Sequence, residues 1–198
     1  MQSKLTFITC LLLFIASCST RQVQQHSTID LANGVSFELQ SPSSFGKNFI
    51  TTQLATIEYQ EQKHELLFQL EIDQQRIILV GLTPSGTRLF TIISDGNTVQ
   101  ADGFKAVVEQ IKPEYLLADM QIALWPQQII QAAVQAESVS IKHNTDSRIL
   151  MVSKKPLIEI NYSDILVYKH LERGYQISIQ TLSSEESAHI DGDFDKHE

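Results

Sequence analysis

The 198-residue sequence predicts an α+β, mainly β fold: a curved antiparallel half-barrel that does not close, with short helices inserted mid-chain as a lid over an apolar concave face. Three observations lead there. Apolar residues alternate with a period of two in two groups of runs, joined by turns too short for parallel crossovers. Between the groups, over residues 104–135, the period becomes that of a helix. About ten antiparallel strands in one sheet must curl, split or close, and three short helices with little polar surface need something to cover. A bent sheet that receives the helices satisfies both demands.

Residues 1–17 read as an export signal, with Lys4 near the start, an apolar core from Leu5 to Ile15, and the small residues Ala16 and Ser17. The core is shorter than the roughly 20 apolar residues of a membrane-spanning helix, and Ser19 to Asn33 are mostly polar. Ile15-Ala16-Ser17-Cys18 resembles the lipobox of bacterial lipoproteins. That resemblance implies that Cys18 becomes the new N-terminus, with a diacylglyceryl group on its thiol and an acyl group on its amine. Several acyl chains, each buried methylene contributing about 0.8 kcal/mol, form a permanent anchor. Ser19, where an aspartate would favour the inner membrane by the usual enterobacterial sorting pattern, implies the periplasmic face of the outer membrane. Cys10 leaves with the signal, so the mature chain has no second thiol for an internal disulfide. Residues 18–33 are expected to be the acylated cysteine and its tether.

The folded domain is expected over residues 34–182. After the turn dipeptide Asn33-Gly34, Val35, Phe37 and Leu39 alternate with polar residues and begin a strand. Further strands are predicted at Gln53 to Tyr59, Glu65 to Ile72, Arg76 to Leu82, Arg88 to Ser94 and Thr98 to Ala101. Asp73-Gln74-Gln75, Thr83-Pro84-Ser85-Gly86 and Asp95-Gly96 supply the turns. Phe104, Val107, Val108 and Ile111 share one face of a first helix, which Lys112-Pro113 ends. Pro113 opens a second helix striped by Tyr115, Leu116, Met120 and Leu124. Trp125-Pro126 breaks it before a third, Gln127 to about Gln135. Strands return at Ser138 to Lys142, Arg148 to Val152, Leu157 to Tyr162, Ile165 to Tyr168 and Gly174 to Thr181. Ile77-Ile78-Leu79-Val80, apolar on both faces, suggests a central strand covered on each side or one lining a greasy cavity. Residues 183–198, acidic and poor in apolar side chains, read as a disordered tail.

The formal charge of −8, one unit more acidic once Lys4 is lost, argues against nucleic acid and against a polybasic grip on lipid. The six histidines fall in no zinc-binding spacing; His64, His143 and His170 stand beside charged residues near strand ends and read as solvated. Asp191-Gly192-Asp193-Phe194-Asp195 begins like a calcium loop, but Lys196 stands where the loop needs glycine. Ser44-Phe45-Gly46-Lys47 matches Ser-x-x-Lys without its partner motifs. The expectation is therefore no catalytic residues, no metal, no cofactor and no enzymatic activity.

Two stretches carry a further resemblance. "GTRLFTIISDGNTVQADGF", residues 86–104, resembles the strand, Asp-Gly turn, strand segment of the periplasmic lipoprotein carrier and its outer-membrane receptor (the LolA and LolB type). "KPEYLLADMQIALWP", residues 112–126, is similar to the Trp-Pro helical segment of a family of uncharacterised bacterial outer-membrane lipoproteins of related fold, often encoded with aryl-polyene pigment genes. The resemblance implies an unclosed barrel whose helices plug an apolar cavity, and acceptance or shuttling of an acylated or other hydrophobic molecule; a monomer is expected. The expected lining residues are Leu70, Ile78, Phe90, Phe104, Tyr115, Leu116, Met120 and Trp125. Leu82, beside a hairpin, corresponds to an exposed leucine that in the receptor assists membrane delivery. Two other readings remain: a structural or assembly lipoprotein without a ligand, and a lipid-acting hydrolase or transferase.

Overall fold

The computed structural model describes residues 27–188. The predicted signal, Cys18, the first part of the tether and residues 189–198 lie outside the described residues. Two short strands come first, β1 (Thr28–Ala32) and β2 (Val35–Glu38), then the long meander β3 (Lys47–Tyr59), β4 (Gln62–Ile72), β5 (Ile77–Leu82), β6 (Arg88–Ser94) and β7 (Val99–Gly103). The helices are α1 (Lys105–Ile111), α2 (Pro113–Leu124) and α3 (Gln127–Ala133). A two-residue strand β8 (Val134–Gln135) leads into the second meander: β9 (Val139–His143), β10 (Ser147–Val152), β11 (Lys155–Tyr162), β12 (Ile165–His170) and β13 (Tyr175–Ala188). Pro113 stands in the first turn of α2 and Trp125 at its end in extended conformation, so the two proline-containing breaks in the sequence bound this helix.

Each meander is a run of antiparallel hairpins, and the two are joined along one seam. β3 pairs antiparallel with β13, from Tyr59 opposite Tyr175 to Lys47 opposite Ala188, giving one ten-stranded sheet in the order β7-β6-β5-β4-β3-β13-β12-β11-β10-β9. Its edges, β7 and β9, do not pair, so the sheet is unclosed; the chain crosses between them through the helices. β1, β2 and β8 form a separate small sheet. Contacts with α2 require the large sheet to curl. Leu79 of β5 lines a cavity against α2, while Arg148 of β10 hydrogen-bonds to it. These strands are the ends of a row of seven neighbours, about 29 Å wide if flat at about 4.8 Å per strand, and the helix is only about 10–12 Å across.

Alternation sorts residues between the two faces. In β5, Ile77 and Leu79 are buried while Ile78 and Val80 are half-buried on the outer face. The apolar run therefore lines the interior with alternate residues only, and Ile78, expected at the cavity, points away from it. Gly81, opposite Phe90, has no side chain for a reason: a Cβ there would lie 2.3 Å from the Phe90 ring, which fills the vacant space instead. Gly103, at φ 145°, is likewise confined, since a Cβ would meet the Leu89 carbonyl oxygen at 2.2 Å.

Two expected boundaries move. The tether proper ends before Thr28, because Ile29 and Leu31 are buried and β1 pairs with β2 about the Asn33-Gly34 turn; one polar–apolar repeat is too short to establish a period. The acidic tail begins no earlier than residue 189. Residues 183–188, expected to be disordered, continue β13 as far as Ala188. Their side chains are exposed, so the ordering comes from the ladder to β3, supported by the Thr51 hydroxyl donating to the Ser183 carbonyl at 2.8 Å and by the Lys47–Glu186 ion pair at 2.7 Å.

Candidate functional site

α2 lies against the concave face and is fixed from two directions. Before β3 the chain makes a short 3-10 turn, Pro42–Phe45. Here the Gln121 side chain behaves as a strand would, accepting from the Gln40 N–H and donating to the Gln40 carbonyl, both at 2.8 Å. Trp125, fully buried, packs on Phe45 with ring centroids 4.7 Å apart and donates its Nε1–H to the Ser44 hydroxyl at 2.9 Å. Trp125 of the Leu-Trp-Pro segment thus seals the C-terminal end of the helix and belongs to the core.

The second meander holds the opposite flank with polar side chains. Arg148 donates from Nη1 to the Ile122 carbonyl at 2.5 Å, and Tyr162 donates its hydroxyl to the Ala123 carbonyl at 2.7 Å. Both oxygens belong to the last turn of α2, where carbonyls lack intrahelical partners and a cation is favoured. Tyr168 donates to Oδ1 of Asp119 at 2.6 Å, and Tyr175 donates to Oδ2 of the same carboxylate. Asp119 is 7% exposed. Burial pushes its carboxyl up to about 6, against the opposing effects of the two hydroxyls and of the Arg173 charge. Burial and the negative charge of Asp119 hold both tyrosines above their ordinary range.

His170, expected at the solvated surface, is fully buried. The inward side of β12 carries Tyr168 and His170 two residues apart, so one pleat that buries the tyrosine buries the histidine as well. Its Nδ1 accepts the Arg173 backbone N–H at 3.3 Å, which leaves the proton on Nε2. That nitrogen lies near the Leu31 backbone but makes no hydrogen bond of good geometry. Burial, then the neighbouring Arg173 charge, hold the ring down to about 4 and keep it neutral. The Arg173 guanidinium sits 4.2 Å over the Tyr115 ring and donates to the Asp30 carbonyl.

Between α2 and the sheet lies a cavity of about 60 Å³. Phe68, Leu70 and Leu79 form one wall, Leu116, Met120 and Leu124 of α2 form the roof, and Leu166, Ile177 and Ile179 form the far wall. The polar contributions come from Gln53, Asp119 and Tyr168. Of the residues expected at the cavity, Leu70, Leu116 and Met120 border it. Phe90 lies deeper, fully buried beside Phe68 at 6.1 Å between centroids. Trp125 is in the core as described, and Tyr115 is half-buried under Arg173. Phe104, 57% exposed, stands outside because it precedes α1 as its N-cap, one residue too early to share the helix's inward face. Leu82 is the last residue of β5, half-buried opposite Leu67, before the tip of the hairpin.

Asp119 and its tyrosines were absent from the expected site. The available signal was a lone carboxylate inside the apolar stretch Leu116-Leu117-Ala118-Asp119-Met120; its partners come from strands 49 and 56 residues away, beyond the reach of any local pattern. A search of the curated proteins finds no significant match. Residues 51–183, which take in α2 and most of the seam and of both meanders, match the family described as "Protein of unknown function (DUF3261)", and the chain belongs to that family.

Proposed function

We propose that the protein is a non-enzymatic lipoprotein of the outer membrane, held on the periplasmic face by acyl chains on Cys18. In this reading it is a LolA/LolB-like half-barrel that accepts an acyl, acylated-protein or polyene-like cargo between α2 and the concave sheet. The observation that carries the proposal is the apolar cavity under α2, bordered on one side by β3–β5 and on the other by β12 and β13. The lipobox at Cys18, the likeness of residues 86–104 to the carrier and its receptor, and the likeness of residues 112–126 to the uncharacterised lipoproteins of related fold support it.

At about 60 Å³ the cavity is far below the roughly 300 Å³ at which small-molecule pockets begin. Cargo therefore enters by displacing the lid. α1 has no buried residue and is the part of the lid least fixed to the body. The small volume also favours a second reading, an assembly lipoprotein with no ligand that docks through its outer face. There Leu54, Leu67 and Leu82 stand in one cross-strand row, which continues through Gln180 to the exposed Ile165.

Purification of the mature protein from membranes, organic extraction and mass spectrometry separate the two. A lipid enriched over bulk membrane lipid supports carriage, and its absence favours the assembly reading. For the anchor, Cys18→Ala is expected to leave an unprocessed precursor that radioactive palmitate does not label; persistent labelling would show that the anchor lies elsewhere.

A further inference from the structure

We infer that Asp119 sets the chemistry of the cargo: the cavity takes an apolar chain whose buried end is a hydrogen-bond donor or a cation, and rejects one that ends in an anion. The inference rests on the cavity being a cargo site, as proposed above, and names the class of molecule it would hold.

The geometry is specific. Asp119 borders the cavity from the α2 side and Tyr168 borders it from β12. Each carboxylate oxygen accepts one tyrosine hydroxyl, Oδ1 from Tyr168 at 2.6 Å and Oδ2 from Tyr175. An ionised carboxylate offers about four lone-pair sites, so two tyrosines leave acceptor capacity unused, and both hydroxyl protons are already committed. Asp119 therefore presents acceptors to an incoming molecule, and of the polar side chains in the wall only the neutral Gln53 amide can donate.

The cations nearby do not reverse this. Arg173 lies across the Tyr115 ring and donates to the Asp30 carbonyl, and it is absent from the cavity wall. Arg148 is turned to the Ile122 carbonyl and to the Tyr162 ring. Gln53, the remaining polar residue of the wall, is neutral. In an apolar enclosure of low effective dielectric, a fixed negative charge repels a second anion far more strongly than it would in water, and it attracts an amine or accepts from a hydroxyl or an amide.

The test uses the purified full-length mature protein loaded with N-phenyl-1-naphthylamine, a neutral fluorescent probe, at pH 8 and in salt sufficient to screen the surface charge. Decanoate, decanol and decylamine are compared as displacers of equal chain length. The inference expects decylammonium and decanol to displace the probe at concentrations at least tenfold below decanoate, and Asp119→Asn to bring decylammonium and decanoate within about twofold of each other. Circular dichroism verifies that the variant is folded, and the wild-type ratio of decylammonium to decanoate stands even if it is not. Equal displacement by these two ions in the wild type overturns the inference while leaving the cargo site in place. So does a preference that Asp119→Asn leaves unchanged. Failure of the probe and of all three displacers to bind overturns the cargo site itself and the inference with it.

Discussion

The two flanks of α2 are built from different materials. On the side of the second meander, Arg148, Tyr162, Tyr168 and Tyr175 reach it with directional hydrogen bonds. On the side of β4 and β5, Phe68, Leu70 and Leu79 face it across the cavity with nothing but apolar surface. Hydrogen bonds weaken steeply with misalignment, whereas apolar contact is non-directional and tolerates sliding. The difference teaches where the lid can part from the body. The Leu116–Met120 part of α2 can part from β4 and β5 if the helix hinges about the Gln121 and Trp125 bonds to Gln40 and Ser44, while any movement from β10–β13 leaves a carboxylate and two carbonyls unpaired.

The largest expected effect comes from loosening the apolar flank. Leu79→Ala removes side-chain volume from a buried wall position and should cost about 3 kcal/mol in urea unfolding, while increasing uptake of an apolar fluorescent probe. A loss of stability with unchanged uptake would mean that the wall collapses onto the helix and that the flank is ordinary core. Next comes the polar flank. Tyr168→Phe keeps the ring but deprives Oδ1 of Asp119 of its donor, and should cost about 2 kcal/mol. A cost under about 0.5 kcal/mol would show that the carboxylate is satisfied without the tyrosine.

The third prediction uses pH to separate the two buried titrating groups of the polar flank. Asp119, raised in the folded protein to about 6, holds a proton that the unfolded chain has lost, so its contribution to stability grows as pH falls from 6 toward 4. His170, lowered to about 4, stays neutral where the unfolded chain is protonated, so its contribution shrinks as pH falls from 6.5 to 4. Each change is about 3 kcal/mol over its window, and the signs oppose. Relative to wild type, His170→Gln should therefore gain stability between pH 7 and pH 4.5, and Asp119→Asn should lose it. The same sign in both variants would break the pairing.

The smallest effect concerns a turn in the apolar half. Gln60 and Glu61 join β3 to β4 with φ of 49° and 64°, a conformation that glycine adopts freely. Glu61→Gly should raise stability by about 0.5–1 kcal/mol, read as a higher melting temperature.

What the sequence revealed follows from range. The ends of α2 were legible because Pro113 and Pro126 act on their immediate neighbours, and the hairpins because alternation and turn residues are local. β1 escaped because its two buried residues, Ile29 and Leu31, are too few to establish a period. The end of β13 escaped because main-chain pairing with β3 orders it, and that ladder leaves no trace in side-chain character. The cavity was legible only in part. Leu70, Leu116 and Met120 declared themselves by hydrophobicity, whereas Asp119 and His170 owe their burial to residues that meet only in the folded chain.

The seam between β3 and β13 also bears on how the molecule comes into being. Its partners enter the polypeptide more than a hundred residues apart, and contacts so distant along a chain slow folding. Until its final strand has been synthesised, the protein is two separate ribbons, each with an open border. β13 is the stitch that turns them into a single sheet.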